Sequence, residues 1–159
     1  MAMGKDKVAL MTFDSAANSQ CVLKVLSCSA PLYFLIADLN STKDTVEILS
    51  NLSKNFPFIN ENSNESIASG MHTYCKLNYA NVLNAVSAIE SGNLDGLADS
   101  MHFAQHSFDV YAFPLCPTQL CSPILHKLIF DITLKSMTKA IKGVGNCFVV
   151  FTYFFNMII

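Results

Sequence analysis

Arginine and tryptophan are both absent from this sequence, and charged residues make up only 14% of its 159 positions, against about 25% in an average globular chain. A nucleic-acid-binding protein needs a dense basic patch. The ten lysines form no basic run, so this class is excluded. Hydrophobic residues reach 52%, which excludes intrinsic disorder because enough apolar surface is available for a core. The scarcity of charge also predicts that a second domain or a partner, such as another copy of the chain, covers apolar surface.

Signals for secretion and for membrane insertion are lacking as well. Residues 1–7 contain no apolar stretch of signal-peptide length, so the six scattered cysteines are interpreted as reduced thiols of a cytoplasmic protein. The apolar segment Cys147–Ile159 has thirteen residues, whereas a membrane-spanning helix needs about 20. Its β-branched and aromatic residues favour a buried strand over a membrane tail, and its abrupt stop is typical of a truncated chain.

Apolar runs bounded by polar turns predict several strands. Two strands joined by a polar turn are predicted at Lys7–Phe13 and Gln20–Leu26. The continuous apolar run Leu32–Ala37 is typical of a strand that is covered on both faces or lies centrally in a sheet. Near the other end of the chain, Lys142-Gly-Val-Gly145 predicts a tight loop before a last apolar strand.

Helical periodicity occupies the middle of the chain. A first helix is capped by Ser41 or Thr42 and ends before Pro57. Apolar residues spaced by three and four mark a long amphipathic helix from about Ser66 to Glu90, and Gly92 then has the position of a left-handed turn residue. Two further helices follow this turn, one over Leu94 to Phe108 and one carrying Leu125, Leu128 and Ile129.

Two connections offer places for an anion. Asp38 and Asp44 flank a strand-to-helix connection, where a helix N-terminus suits a phosphate or a carboxylate. The alternative is that these aspartates only cap the helix. The glycines of Lys142-Gly-Val-Gly145 allow close backbone approach to phosphate oxygens, and the alternative there is an ordinary turn before a strand.

Pairs of histidines and cysteines do not predict a metal centre. His102 and His106 lie four apart on one side of a helix, but Phe103 stands where a zinc protease has glutamate, and no third ligand is evident. Cys116 and Cys121 lack the two-residue spacing of a zinc knuckle or a redox motif. No metal ligand and no catalytic residue is predicted from these pairs.

Four segments, taken in order, point to a known family. Pro31–Leu49 has a strand followed by a helix, Ala88–Met101 has two helices with a Gly-Asn turn, Cys116–His126 leads into a helix, and Lys142–Gly145 is rich in glycine. In this order they resemble the C-terminal part of the GHMP kinases, a family that includes galactokinase, homoserine kinase, mevalonate kinase and phosphomevalonate kinase. The resemblance covers roughly residues 1–145 and is closest to the sugar kinases.

The resemblance implies an α+β fold, an antiparallel sheet with helices on one face, similar to the ferredoxin-like C-terminal domain of these kinases. Residues 1–30 would be remnant strands of the N-terminal kinase domain, and residues 31–159 the C-terminal-like domain. It further implies ATP and Mg²⁺ as cofactors and a sugar or sugar acid as phosphate acceptor. The site residues so implied are Lys142, Gly143 and Gly145 near the nucleotide phosphates and Asp38, Lys43, Asp44 and Thr45 at the acceptor.

The sequence departs from the family in its phosphate-binding parts. Ala140 and Ile141 replace two glycines of the family loop, and neither the family's Gly-Leu-Gly-Ser-Ser-type loop nor its catalytic aspartate occurs. Because phosphoryl transfer depends on positioning and on neutralising the phosphate, we expect little or no kinase activity from the chain alone. The alternative function is a non-catalytic interaction module, or a residual truncated product, that binds a partner through the apolar strand Phe148–Phe155. The kinase hypothesis requires a pocket between the Asp38 turn and the Gly143 turn.

Overall fold

The computed structural model describes residues 8–14, 20–40, 43–54, 65–144 and 147–152. The strands in these ranges are β1 (Val8–Asp14), β2 (Gln20–Leu26), β3 (Tyr33–Asp38), β4 (Ala140–Val144) and β5 (Cys147–Thr152). The helices are α1 (Thr45–Lys54), α2 (Glu65–Ser91), α3 (Leu94–Ser107), α4 (Pro117–Leu120), α5 (Pro123–Phe130) and α6 (Ile132–Met137). A π-helical turn, Phe108–Ala112, and a 3₁₀ turn, Phe113–Leu115, connect α3 to α4. The predicted caps Ser41 and Thr42, the site residue Gly145 and residues 153–159 lie outside the described residues.

The strands form two antiparallel sheets, which confirms the predicted α+β class. β1 and β2 form a hairpin of their own, while β3, β5 and β4 form a three-stranded sheet in that order. In the second sheet Phe151 of β5 pairs with Phe34 on one side and with Ala140 on the other. β5 is therefore the strand that holds this sheet together.

The position predicted for the apolar run 32–37 is wrong. β3 lies at an edge of its sheet, and Leu35 and Ile36 are 60% and 67% exposed. The prediction that Phe148–Phe155 forms an exposed edge strand for binding a partner is also wrong where the structure describes it. β5 lies centrally in its sheet, and Phe151 is only 1% exposed. An apolar run in a sequence shows which residues favour burial, but the pairing order is set by strands from distant parts of the chain.

The tight loop predicted around Lys142 is also wrong where the structure describes it, because Lys142 and Gly143 lie within β4. The residues before them are buried, as expected of a strand packed against helices. A Cβ at Gly143 would lie 2.7 Å from Leu125 Cδ2 and 3.4 Å from Gln105 Oε1. Glycine is thus required here for close packing of α5 and α3 on the strand, a reason unrelated to phosphate.

Replacing Gly143 by alanine is expected to destabilise the protein by about 1–3 kcal/mol, because the added methyl group overpacks the contact with the buried Leu125. Urea unfolding followed by circular dichroism measures the change. Gly70, where an added Cβ would meet nothing within 4 Å, provides the matched control. Since alanine has the higher helix propensity, Gly70→Ala should leave stability unchanged or raise it. An equal response of both variants would contradict the packing role of Gly143.

The predicted helical hairpin is confirmed. α2 and α3 are joined by Gly92, whose φ of 72° lies in the left-handed region, and the side chain of Asn93 caps α3 by accepting a hydrogen bond from Gly96 N–H at 2.9 Å. The cap of α1 differs from the prediction. Asp44 Oδ1 accepts from the N–H groups of Val46 and Glu47 at 2.9 and 3.0 Å, so Asp44 takes the place predicted for Ser41 or Thr42.

The core lies between the helical hairpin and the three-stranded sheet. Its buried residues are Ala88, Leu97, Ala98, Ala140 and Phe151. Neighbouring residues of a strand point to opposite faces, and Ile141 packs instead with Leu125 of α5 in a second buried cluster. Helices therefore contact β4 from both sides, which corrects the expectation of helices on one face only.

The hairpin of β1 and β2 contacts α2 through one end of one face. There Leu26 is buried and Lys24 Nζ donates to Glu90 Oε1 of α2 at 3.0 Å, whereas Val22 on the same face is 59% exposed. The opposite face is formed by the cross-strand pairs Ala9–Val25, Met11–Leu23 and Phe13–Cys21. We call these six residues the hairpin's apolar face. It is exposed at Met11 and Phe13, by 54% and 71%.

The cysteines whose side chains are described, Cys21, Cys28, Cys75, Cys116 and Cys121, are free thiols. In the described part of the chain, no helix combines the length and the apolar character that crossing a membrane requires. A cytoplasmic location stays a prediction.

Candidate functional site

A pocket of about 290 Å³ lies between the connection that follows β3 and strand β4. The connection contributes Leu39 and Lys43, and the strand contributes Lys142, Gly143 and Val144. The helices and the segments between them supply the other lining residues, which are Tyr74, Gln105, Phe108, Asp109, Leu120, Ser122, Leu125 and His126. The pocket that the kinase hypothesis requires is therefore present at the required place.

Of the site residues implied by the family resemblance, the structure brings Lys43, Lys142 and Gly143 into this pocket. The two aspartates have local tasks instead. Asp38 Oδ1 accepts a hydrogen bond from Asn40 N–H at 2.9 Å, and the carboxylate of Asp44 caps α1. Neither these aspartates nor the exposed Thr45 line the pocket. The roles assigned to all of these residues stay predictions.

Lys142 places a positive charge in the wall of the pocket that β4 forms. Its Nζ donates to Gly143 O at 2.9 Å, and none of the described carboxylates forms an ion pair with it. Burial lowers the pKa of the Lys142 ammonium, because a charge removed from water loses hydration. A partly buried cation that the described residues pair only with a carbonyl oxygen is stabilised by any anion that enters the pocket.

Gly143 does not have a free N–H group for an anion. Its N–H donates to Gln105 Oε1 at 2.8 Å, and its carbonyl accepts from Lys142. The backbone N–H of Gly143 is therefore engaged within the protein, and the phosphate-binding role implied for this segment stays a prediction. Gly143 shapes the pocket by letting Leu125 of α5 approach the strand.

Sequence reasoning missed a polar network on the helical side of the pocket. Gln105 is buried, and its Nε2 donates to Asp109 Oδ1 at 2.9 Å. The second carboxylate oxygen, Asp109 Oδ2, lies 3.3 Å from His126 Nε2. A continuous chain of hydrogen bonds thus runs from the backbone of β4 through Gln105 and Asp109 to His126. We call Gln105, Asp109 and His126 the polar relay.

Local sequence explains how each member of the polar relay is placed. Gln105 and Asp109 lie four residues apart, so they share one side of the helix, and the π-helical turn that holds Asp109 is of a kind frequent at functional sites. His126 lies in the first turns of α5, which begins with Pro123 and is capped by Ser122, whose Oγ accepts from Leu125 N–H at 3.4 Å. The four-residue spacing is the sequence signal for the pair of Gln105 and Asp109, and the Ser-Pro cap is the signal for the helix that carries His126.

The pocket also contains a neutral hydroxyl group. Burial, with a smaller contribution from Cys75, raises the pKa of Tyr74, so this phenol stays protonated at neutral pH. Apolar side chains, including Leu39, Phe108 and Leu120, complete the lining. The pocket therefore combines one cationic region, an Asp–His pair and apolar walls, as ligand sites for small polar molecules do.

The described residues do not fit a resident Mg²⁺ ion. Within the ranges the structure describes, no group of three or more acidic, histidine or cysteine side chains could hold a metal ion. His102 and His106 belong to no such group, and both oxygens of Asp109 are engaged within the polar relay.

A solved structure of L. major mevalonate kinase, in complex with R-mevalonate, shares this arrangement of helices and strands. The match covers 93% of this chain with a TM-score of 0.64. This chain has a kinase-like fold. It spans 41% of the length of that mevalonate kinase, and at 14% sequence identity the likeness is one of fold. No protein-family model and no curated protein matches the sequence.

Proposed function

We propose that the chain is one lobe of an ATP-dependent small-molecule kinase, whose pocket receives nucleotide phosphates and a small hydroxyl compound such as a sugar or sugar acid. The observation that carries this proposal is the pocket between the β3–α1 connection and β4, where the ammonium of Lys142 donates to a carbonyl oxygen and has no carboxylate partner among the described residues. The fold shared with a mevalonate kinase supports the same conclusion.

The chain's own residues would bind and position the phosphate groups and the acceptor, and would form no covalent bond with them. Phosphoryl transfer needs charge neutralisation and alignment more than covalent chemistry. Lys142 would donate to a phosphate oxygen of the nucleotide, and Lys43, which lines the same pocket, would face the acceptor. Mg²⁺ would arrive with the nucleotide. The described residues provide no metal cluster, and the sequence lacks the Gly-Leu-Gly-Ser-Ser-type phosphate loop. We therefore expect little turnover from the chain alone.

Thermal unfolding with and without Mg-ATP tests this proposal. Nucleotide bound to the folded state raises the melting temperature in proportion to RT ln(1 + [L]/Kd). Lys142→Met should weaken binding about tenfold or more, the value of a lost charged hydrogen bond, and so reduce the shift. Lys76→Met, at an exposed lysine of α2, is the matched control and should keep it. ADP release by the same samples with a panel of sugars is expected to stay below about 1 s⁻¹, the lower end of kinase rates.

The absence of any nucleotide-dependent shift would contradict the proposal, as would equal shifts in the two lysine variants. The first of these outcomes would favour the second candidate function, a module that binds a partner protein. The hairpin's apolar face supports that candidate, because contiguous exposed apolar surface marks interaction sites and Met11 and Phe13 are largely exposed. Such a module has no reason to respond to Mg-ATP, so one experiment separates the two functions.

A further inference from the structure

We propose that His126, oriented by Asp109, binds a hydroxyl group of the ligand, and that the pocket selects a hydroxylated, monosaccharide-sized anion, whose charge Lys142 binds when no nucleotide phosphate is present. The inference deepens the proposed function and rests on it in one respect, namely that the pocket is the acceptor site. It assigns a ligand class to the site and a role to two residues that the sequence did not indicate.

The direction of each hydrogen bond in the polar relay determines which ring nitrogen of the neutral His126 imidazole carries the hydrogen. The N–H of Gly143 can only donate, so the oxygen of the Gln105 amide faces the strand and its nitrogen faces Asp109. An ionised carboxylate can only accept, so His126 Nε2 carries the hydrogen directed at Asp109 Oδ2. In the neutral imidazole the other nitrogen, Nδ1, is then an acceptor.

The acceptor on His126 is available to a ligand. Among the described residues none forms a hydrogen bond with Nδ1, while the His126 side chain lines the pocket and is 35% exposed. A hydroxyl group of a ligand suits this position, because its O–H can donate to His126 Nδ1. The Asp109 carboxylate holds the imidazole in this orientation, as carboxylate partners of histidines do at other sites.

The cationic side of the pocket defines the rest of the ligand. His126 and Lys142 line the same pocket, so one small molecule that fills it can contact both residues. The volume of about 290 Å³ lies at the lower limit of ligand pockets, which span about 300–1,000 Å³. A sugar acid or a sugar phosphate combines the required hydroxyls, charge and size.

Isothermal titration calorimetry without nucleotide tests this ligand class with four probes. D-Glucuronate and D-glucose 6-phosphate carry both hydroxyls and charge, D-glucose lacks the charge, and cyclohexanecarboxylate lacks the hydroxyls. We expect at least one of the two sugar anions to bind more tightly than D-glucose and cyclohexanecarboxylate. His126→Phe should weaken its binding about five- to tenfold, the value of a lost neutral hydrogen bond, and leave cyclohexanecarboxylate unaffected. Lys142→Met should weaken the binding of every anion about tenfold or more.

Two results would overturn the inference: sugar anions that bind as well to His126→Phe as to the wild type, or cyclohexanecarboxylate that binds as tightly as the sugar anions. Should His126→Phe not fold, as judged by circular dichroism, the ring-proton NMR signals of wild-type His126 give the same answer, because a ligand bound at Nδ1 shifts them. Titrations without nucleotide are independent of the Mg-ATP experiment. A failure of nucleotide binding therefore cannot be mistaken for a failure of hydroxyl recognition.

Discussion

Replacing Phe151 by alanine is expected to lower the free energy of unfolding by about 3–5 kcal/mol. Phe151 is 1% exposed in the central strand β5, and its ring centroid lies 5.2 Å from that of Phe34. Truncation would remove buried apolar area and leave a cavity beside Leu97 and Ala140. Since domains of this size are stable by about 5–15 kcal/mol, the loss is a large share of the total. Urea unfolding followed by circular dichroism measures it, because the sequence has no tryptophan to report by fluorescence.

Phe13→Ala is the matched control for Phe151→Ala. Phe13 has the same side chain on the hairpin's apolar face, where it is 71% exposed. Its truncation should change the free energy of unfolding by no more than about 0.5 kcal/mol. If the two variants lost equal stability, Phe151 would not be the centre of the core that the structure indicates.

The second large effect is expected for Gln105→Glu, a variant that keeps the shape of the side chain. The new carboxylate still accepts from Gly143 N–H, but its second oxygen faces Asp109 Oδ1 where the amide donated. Two facing carboxylates repel, and we expect a loss of about 2–4 kcal/mol at pH 7. Urea unfolding at a series of pH values measures the loss.

The pH dependence of Gln105→Glu has a definite sign. Repulsion raises the pKa of the introduced carboxyl in the folded state above its ordinary value of about 4.3. The variant therefore has near-normal stability below about pH 4, where the group is protonated in both states. It loses stability as the pH rises through the raised folded pKa. Gln105→Met, which loses both hydrogen bonds without adding charge, should show a deficit without this pH dependence, and a parallel profile for the two variants would contradict the contact with Asp109.

Elements encoded by local pattern were predictable from the sequence. The β2 strand, the long helix α2 and the left-handed turn at Gly92 follow from alternation, from spacings of three and four, and from the conformational freedom of glycine. The structure has them where they were predicted. The family resemblance, and not local pattern, predicted that Lys43 and Lys142 lie near a common pocket, and both line it.

Features set by distant contacts were not predictable. Lys142 and Gly143 have the composition of a turn, yet pairing with β5 and packing by Leu125 draw them into a strand. The exposed edge position of β3 depends on β5 as well. His126 joined the site only because α5 packs beside the π-helical turn that holds Asp109, and no single-sequence pattern encodes that contact.

The order of strands in the second sheet has a consequence for biosynthesis. β3 and β4 do not pair with each other. Each pairs with β5, which is synthesised after both. The β1–β2 and α2–α3 hairpins consist of local contacts and can form while translation continues, whereas pairings of high sequence separation form slowly. Until residues 147–152 leave the ribosome, the edge of β3 that later pairs with β5 is unpaired. Unpaired apolar strand edges are prone to aggregation, so a chaperone would be most useful during this interval.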